Sequence, residues 1–189
     1  MGLISQFYKN FAFETSGIIG GTKKDEMTAF YTSLMLYGYK DKKPRTWMEM
    51  FVALRQVLEA NRRRGVKVVF IDELPCFDTR CSGFVKALDY FWNTWASKQS
   101  NIKLIVCGSA TSWMVRNIIN NKGGLHNRIT HERHLHAFNL CETKQFLWKK
   151  GLKWDNLLVA QSYMIMGGVP YYLDLLDSDK GYAENIDYL

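Results

Sequence analysis

Between Lys67 and Glu73 the chain reads Lys-Val-Val-Phe-Ile-Asp-Glu, an apolar run that stops at two adjacent carboxylates. Val, Val, Phe and Ile in succession, without polar alternation, suit a strand buried on both faces, as in parallel sheets covered by helices. Parallel neighbours need crossover connections, so this segment commits the surrounding chain to alternate strands with helices. It also sets two acids at the C-terminal end of a strand, where open α/β sheets hold their ligands.

The flanking sequence supplies that alternation. Residues 7–15, with Phe7, Phe11, Phe13 and Thr15, read as a weak strand, and Gly17, Gly20 and Gly21 then loosen the chain into a loop. A helix is predicted from Lys24 to Tyr37, followed by a polar loop over 38–45. Thr46 can cap a helix whose Trp47, Met50, Phe51, Leu54, Val57 and Leu58 form one apolar face. Arg62, Arg63 and Arg64 come at its end, either as a solvated terminus that suits the helix dipole or as a contact for phosphate, and Gly65 stops it. After the acid pair, 74–81 reads as a loop, and Ser82 can cap a helix to about Lys98.

Ile102 to Cys107 is a second continuous apolar strand, ending in Gly108-Ser109. A helix from Trp113 to Asn120, a turn at Lys122-Gly123-Gly124 and a third strand from Ile129 to Phe138 complete the alternation. Beyond residue 140 only helices are expected: Glu142 to Lys150, an Asp155-capped helix to Met166, and one opened by Pro170 that runs through Leu176. The expected fold class is therefore α/β, a parallel-sheet core over residues 1–140 followed by a small helical segment over 141–189.

The 189-residue chain is 47% apolar, enough for a packed core and too much for wholesale disorder. Its net charge of +7 suits a polyanionic partner such as nucleotide or nucleic acid. The four cysteines (76, 81, 107 and 141) form no CxxC pair and read as reduced structural residues of a cytoplasmic protein. The N-terminal apolar stretch is too short for a signal peptide, and no run approaches the ~20 residues that span a bilayer.

Asp72 and Glu73 could be ordinary acids at a loop edge. Their second reading is chemical: one carboxylate holds Mg²⁺ and the other polarises water for attack on a γ-phosphate. Ser109, at the end of the other buried strand, emerges on the same rim if the two strands are neighbours. There it can order water or phosphate, cap the following helix, or both. Arg128 precedes the third expected strand, either as a surface residue or as a cation reaching the phosphate of a neighbouring subunit. His131, His134 and His136 suggest a metal, but on a strand 131 faces away from the other two, and a packed or surface role is favoured. Tyr90, Phe91, Trp92 and Trp95 could stack bases, but most fit one helix face packed on a sheet.

VVFIDELPCFDT, SGFVKALDYFWNTWAS, KLIVCGSATSWM, NKGGLHNRIT and YMIMGGVPYYLDLL, in this order, together resemble the prokaryotic AAA+ ATPases of the archaeal-ATPase type, within the P-loop NTPase superfamily. The likeness runs from about residue 66 to the C-terminus. It implies a Walker B pair at Asp72 (Mg²⁺) and Glu73 (catalytic base), sensor 1 at Ser109, an arginine finger at Arg128 and a lid beginning near Gly167. ATP and Mg²⁺ are the implied cofactors. A finger at Arg128 implies a homo-oligomer. Cys76 departs from the family, which often carries an aromatic there.

The larger departure is at the front. The family places a GxxxxGK[ST] phosphate loop after its first strand, and this sequence contains none. Gly17-Ile18-Ile19-Gly20-Gly21-Thr22-Lys23 imitates it, but Thr precedes Lys and the spacing is wrong. The chain also stops where the relatives continue into a further domain. The expectation is an internal piece of a longer ATPase, inactive alone. The alternative is a degenerate nucleotide-fold module that scaffolds partners or binds nucleic acid through a basic surface.

Overall fold

A computed structural model describes residues 4, 8, 10–120 and 128–188. Three parallel strands, β1 (Phe13–Ser16), β2 (Lys67–Asp72) and β3 (Ile102–Val106), form a sheet in the order β1-β2-β3. The apolar run takes the central place, and Val68 to Ile71 are buried, as a strand covered on both faces must be. Register brings all three strand ends to one rim. Ser16 lies opposite Asp72 and Ile71 opposite Val106. The ladder continues past the strands: Gly17 N–H donates to the Asp72 carbonyl (3.0 Å), Cys107 N–H to that of Ile71 (3.1 Å), and Leu74 N–H to that of Cys107 (2.8 Å).

Helices make the crossovers. α1 (Lys23–Leu36) opens with a reciprocal capping box between Thr22 and Asp25, and α2 (Trp47–Ala60) with the Thr46 hydroxyl accepting from Glu49 N–H (3.2 Å). After β2 comes the short α3 (Leu74–Phe77), then α4 (Phe84–Thr94), whose first N–H donates to Ser82 Oγ (3.2 Å). α5 (Thr111–Met114) follows β3 and continues as a π-turn over Val115–Ile119. An aromatic cluster joins these elements beside the sheet. Trp47 meets Phe84 edge-on at 4.8 Å between ring centres, Phe77 stacks on Phe84 at 5.1 Å, and Phe30 packs edge-on against Trp47 and Phe77. Such pairs contribute about 0.5–1.5 kcal/mol each beyond the area they bury.

The chain divides into two compact units, residues 1–130 and 131–189. The second is helical among its described residues: α6 (Leu140–Lys149), α7 (Asn156–Met166), α8 (Pro170–Asp174) and α9 (Tyr182–Asp187). It has its own core of Leu147, Leu152, Val159, Met166, Leu173 and Leu176. Asp155 caps α7 as expected, and Gly151 stops the preceding helix region with φ +97°.

Several expectations need correction. Residues 129–138 form no strand; they are irregular and mostly exposed, with Phe138 N–H bonded to the Gly168 carbonyl (2.7 Å) instead of to the sheet. His131, Glu132, Arg133 and His134 supply too little apolar surface to bury a strand face. The expected 74–81 loop contains α3, because Leu74 and Phe77 are drawn into the aromatic core. The long helix to Lys98 breaks at Trp95 into a 3₁₀ turn over Ala96–Lys98. α2 ends at Ala60, so Arg62 to Arg64 lie beyond it in exposed irregular chain. α9 was not foreseen. Phe7, the turn at 122–124 and His126-Asn127 lie outside the described residues. No helix among the described residues is long and apolar enough to cross a membrane.

Candidate functional site at the strand rim

At the end of β2 the backbone leaves the strand through Glu73, which adopts φ 46°, ψ 47°. A residue with a Cβ in this left-handed region costs about 1–2 kcal/mol, and such strain persists where the surroundings over-determine it. Here Leu74 and Phe77 pull the chain down into the core on one side, and Leu74 N–H ties it to β3 on the other. The side chain of Glu73 meets the end of β3. Ser109 donates to Glu73 Oε2 twice, from Oγ (3.1 Å) and from its backbone N–H (3.3 Å). The acid of one strand end and the hydroxyl of the next are thus in direct contact. Ser109 does not cap the following helix: Ala110 is the cap residue, and no side chain bonds there.

Asp72 stands one residue back. Its Oδ1 accepts from Glu73 N–H (3.0 Å) and from the Cys107 thiol. Burial first, and then this bond to the Asp72 carboxylate, pushes the Cys107 thiol up to about 12, so it stays a neutral donor.

Two glycines let the rim close. A Cβ on Gly17 would stand 2.6 Å from both Cys76 Cβ and the Glu73 carbonyl oxygen, and one on Gly108 would stand 2.5 Å from Pro75 Cδ. Trp113 Nε1 donates to Asp78 Oδ2 (3.1 Å), joining α5 to the segment after α3.

Glu26 is a participant that sequence reading missed. It is fully buried in α1, and Ile18 N–H donates to both its oxygens (3.0 and 3.3 Å), which holds the loop that follows β1. Burial raises its pKa above the ordinary value. The one sequence signal was an acid at a position where the helix turns inward, beside Met27 and Phe30.

The other candidates remain apart from this cluster. Arg128 is exposed in irregular chain and makes no hydrogen bond or ion pair among the described residues. His134 Nδ1 and His136 Nε2 lie 3.1 Å apart, but no group of three or more His, Cys, Asp or Glu suited to a metal occurs among the described residues. Of the aromatics in α4 and at its C-terminal cap, Phe91 is in the core, Trp92 and Trp95 pack against it, and Tyr90 is exposed.

A Walker-type ATPase of Pyrococcus abyssi has this fold. The two superpose with a TM-score of 0.56 at 14% identity, over 96% of this chain and 60% of that one. With the parallel sheet and its helical crossovers, this shows a P-loop NTPase-like fold. The chain thus spans 60% of the length of that structure. No protein-family model and no curated protein matches the sequence.

Proposed function

We propose that this chain carries the hydrolytic side of an AAA+-type ATP site, with the second helical unit as its lid. The observation that carries the reading is the contact of Ser109 Oγ and N–H with Glu73 Oε2, at the rim where Asp72 also ends its strand. Hard carboxylate and hydroxyl oxygens suit Mg²⁺. Two carboxylates do not make a full cage, which fits an ion held jointly with phosphate oxygens. Asp72 would hold the ion, which neutralises charge on the phosphates when bound. Glu73 polarises the attacking water. Ser109 keeps hold of the carboxylate through its backbone N–H, and when nucleotide is bound its hydroxyl swings from Glu73 to the outermost phosphate. Arg128 serves the site of an adjacent subunit.

The sequence contains no GxxxxGK[ST] motif to grip a triphosphate, so the expected outcome for this chain by itself is no ATP turnover. The test uses the protein encoded by the full natural reading frame, with Mg·ATP hydrolysis and nucleotide binding measured side by side. Glu73→Gln should retain binding and lose turnover by about 10²-fold or more, the scale of removing a positioned general base. Asp72→Asn should weaken the Mg²⁺ dependence of both. Turnover by Glu73→Gln at the wild-type rate contradicts the reading.

A further inference from the structure

The cations of this chain are not spread evenly. Residues 22–45 carry six of them (Lys23, Lys24, Lys40, Lys42, Lys43 and Arg45) against three carboxylates. Two of those carboxylates are engaged: Asp25 accepts from Thr22 within the capping box, and Glu26 is buried against Ile18. Asp41 is exposed beside Lys40 and Lys42. Among the described residues, none of the six cations stands within ion-pair distance of a carboxylate.

The fold brings four of them, Lys23, Lys24, Lys43 and Arg45, together. The 38–45 loop runs back alongside α1, fastened by Tyr39 N–H to the Leu34 carbonyl (2.9 Å), by Tyr31 Oη to the Asp41 carbonyl (3.4 Å) and by Lys43 Nζ to Thr28 Oγ1 (2.9 Å). Pro44 is buried and pins the far end of the loop. There a concavity of about 570 Å³ is lined by Lys23, Lys24, Met27, Lys43, Pro44 and Arg45, with no acid among them. Lys23 and Lys24 lie in the first turn of α1, where the helix dipole already repels cations; a bound anion offsets that cost.

We propose that this face of α1 and the 38–45 loop binds the phosphate backbone of a duplex nucleic acid. A strand of a duplex winds away from any straight element laid along it, so the four cations around the concavity limit the phosphates contacted to about four. The loop is fixed before contact, so little ordering is needed on binding. An anionic membrane is the other extended polyanion, but it calls for an amphipathic element with apolar side chains to insert, and the lining here offers only Met27 and Pro44. The proposal does not rest on the nucleotide reading.

The test measures binding of the full chain to labelled DNA and RNA duplexes of one random sequence across a salt series starting near 50 mM. The expected log–log salt slope is about −4, from about 0.9 per phosphate contacted. Replacing Lys23, Lys24, Lys43 and Arg45 by Gln should reduce its magnitude to below about 1, with folding checked by circular dichroism. Replacing the exposed Lys86, Lys98, Lys149 and Lys153 by Gln removes the same charge elsewhere and should leave the slope unchanged. The balance of DNA over RNA tells which duplex is preferred. No binding of either duplex at the lowest salt overturns the proposal. So does equal weakening by the two quadruple variants, or binding to phosphatidylserine vesicles without binding to duplex.

Discussion

Glu73 combines a strained backbone with the side chain that meets Ser109, and the two can be separated by substitution. Glycine accepts a left-handed conformation without cost, so Glu73→Gly should be at least as stable as wild type in urea unfolding. A β-branched residue is least tolerant there, and Glu73→Val should lose about 1–2 kcal/mol. Equal stability of the Gly and Val variants would show that the backbone is relaxed at this position. Glu26 bears on pH. Its folded pKa is raised by burial, so the stability linked to it is fully present below the ordinary 4.5 and is lost as pH rises through the raised value. Glu26→Gln cannot titrate and should gain stability relative to wild type between about pH 4.5 and neutrality. Parallel pH profiles for the two proteins would contradict this.

At the level of elements, the rim depends on close approach between the end of β3 and the start of α3. Gly108→Ala sets a Cβ 2.5 Å from Pro75 Cδ and 2.8 Å from Cγ, a clash with a rigid ring. The expected cost is about 1–3 kcal/mol, together with separation of Ser109 from Glu73. Thermal unfolding measures the first, and ATP turnover of the full-frame protein the second. An unchanged melting temperature would mean that this junction is loose. These elements were also the most legible in the sequence. β2 and β3 announced themselves as continuous apolar runs, and because both are parallel and adjacent, reading their ends also gave the place of Asp72, Glu73 and Ser109. Residues 129–138 misled because alternation of polar and apolar residues marks a strand only where a sheet edge is there to receive it, and His131 to His134 bury nothing. α3 was hidden for a complementary reason: four residues with a proline carry no helical period, and only the pull of Leu74 and Phe77 into the core forms the turn. Glu26 was missed because a buried acid is defined by the loop it holds, here through Ile18 N–H eight residues earlier, and apolar spacing carries no sign of that bond.

The whole molecule comprises two units with separate cores and a rim on the first that gathers an acid pair, a hydroxyl and a thiol. Its +7 charge is a property of the whole chain, but the structure gathers Lys23, Lys24, Lys43 and Arg45 around one concavity of the first unit. The fold is P-loop NTPase-like, and the rim chemistry is what gives it a proposed use. The most direct test is steady-state ATP hydrolysis by the full-frame protein and its Glu73→Gln variant, at equal nucleotide occupancy and saturating Mg²⁺. The account predicts Mg²⁺-dependent turnover in the first and a loss of about 10²-fold or more in the second. Equal rates in the two proteins, or no hydrolysis by the first, would contradict it.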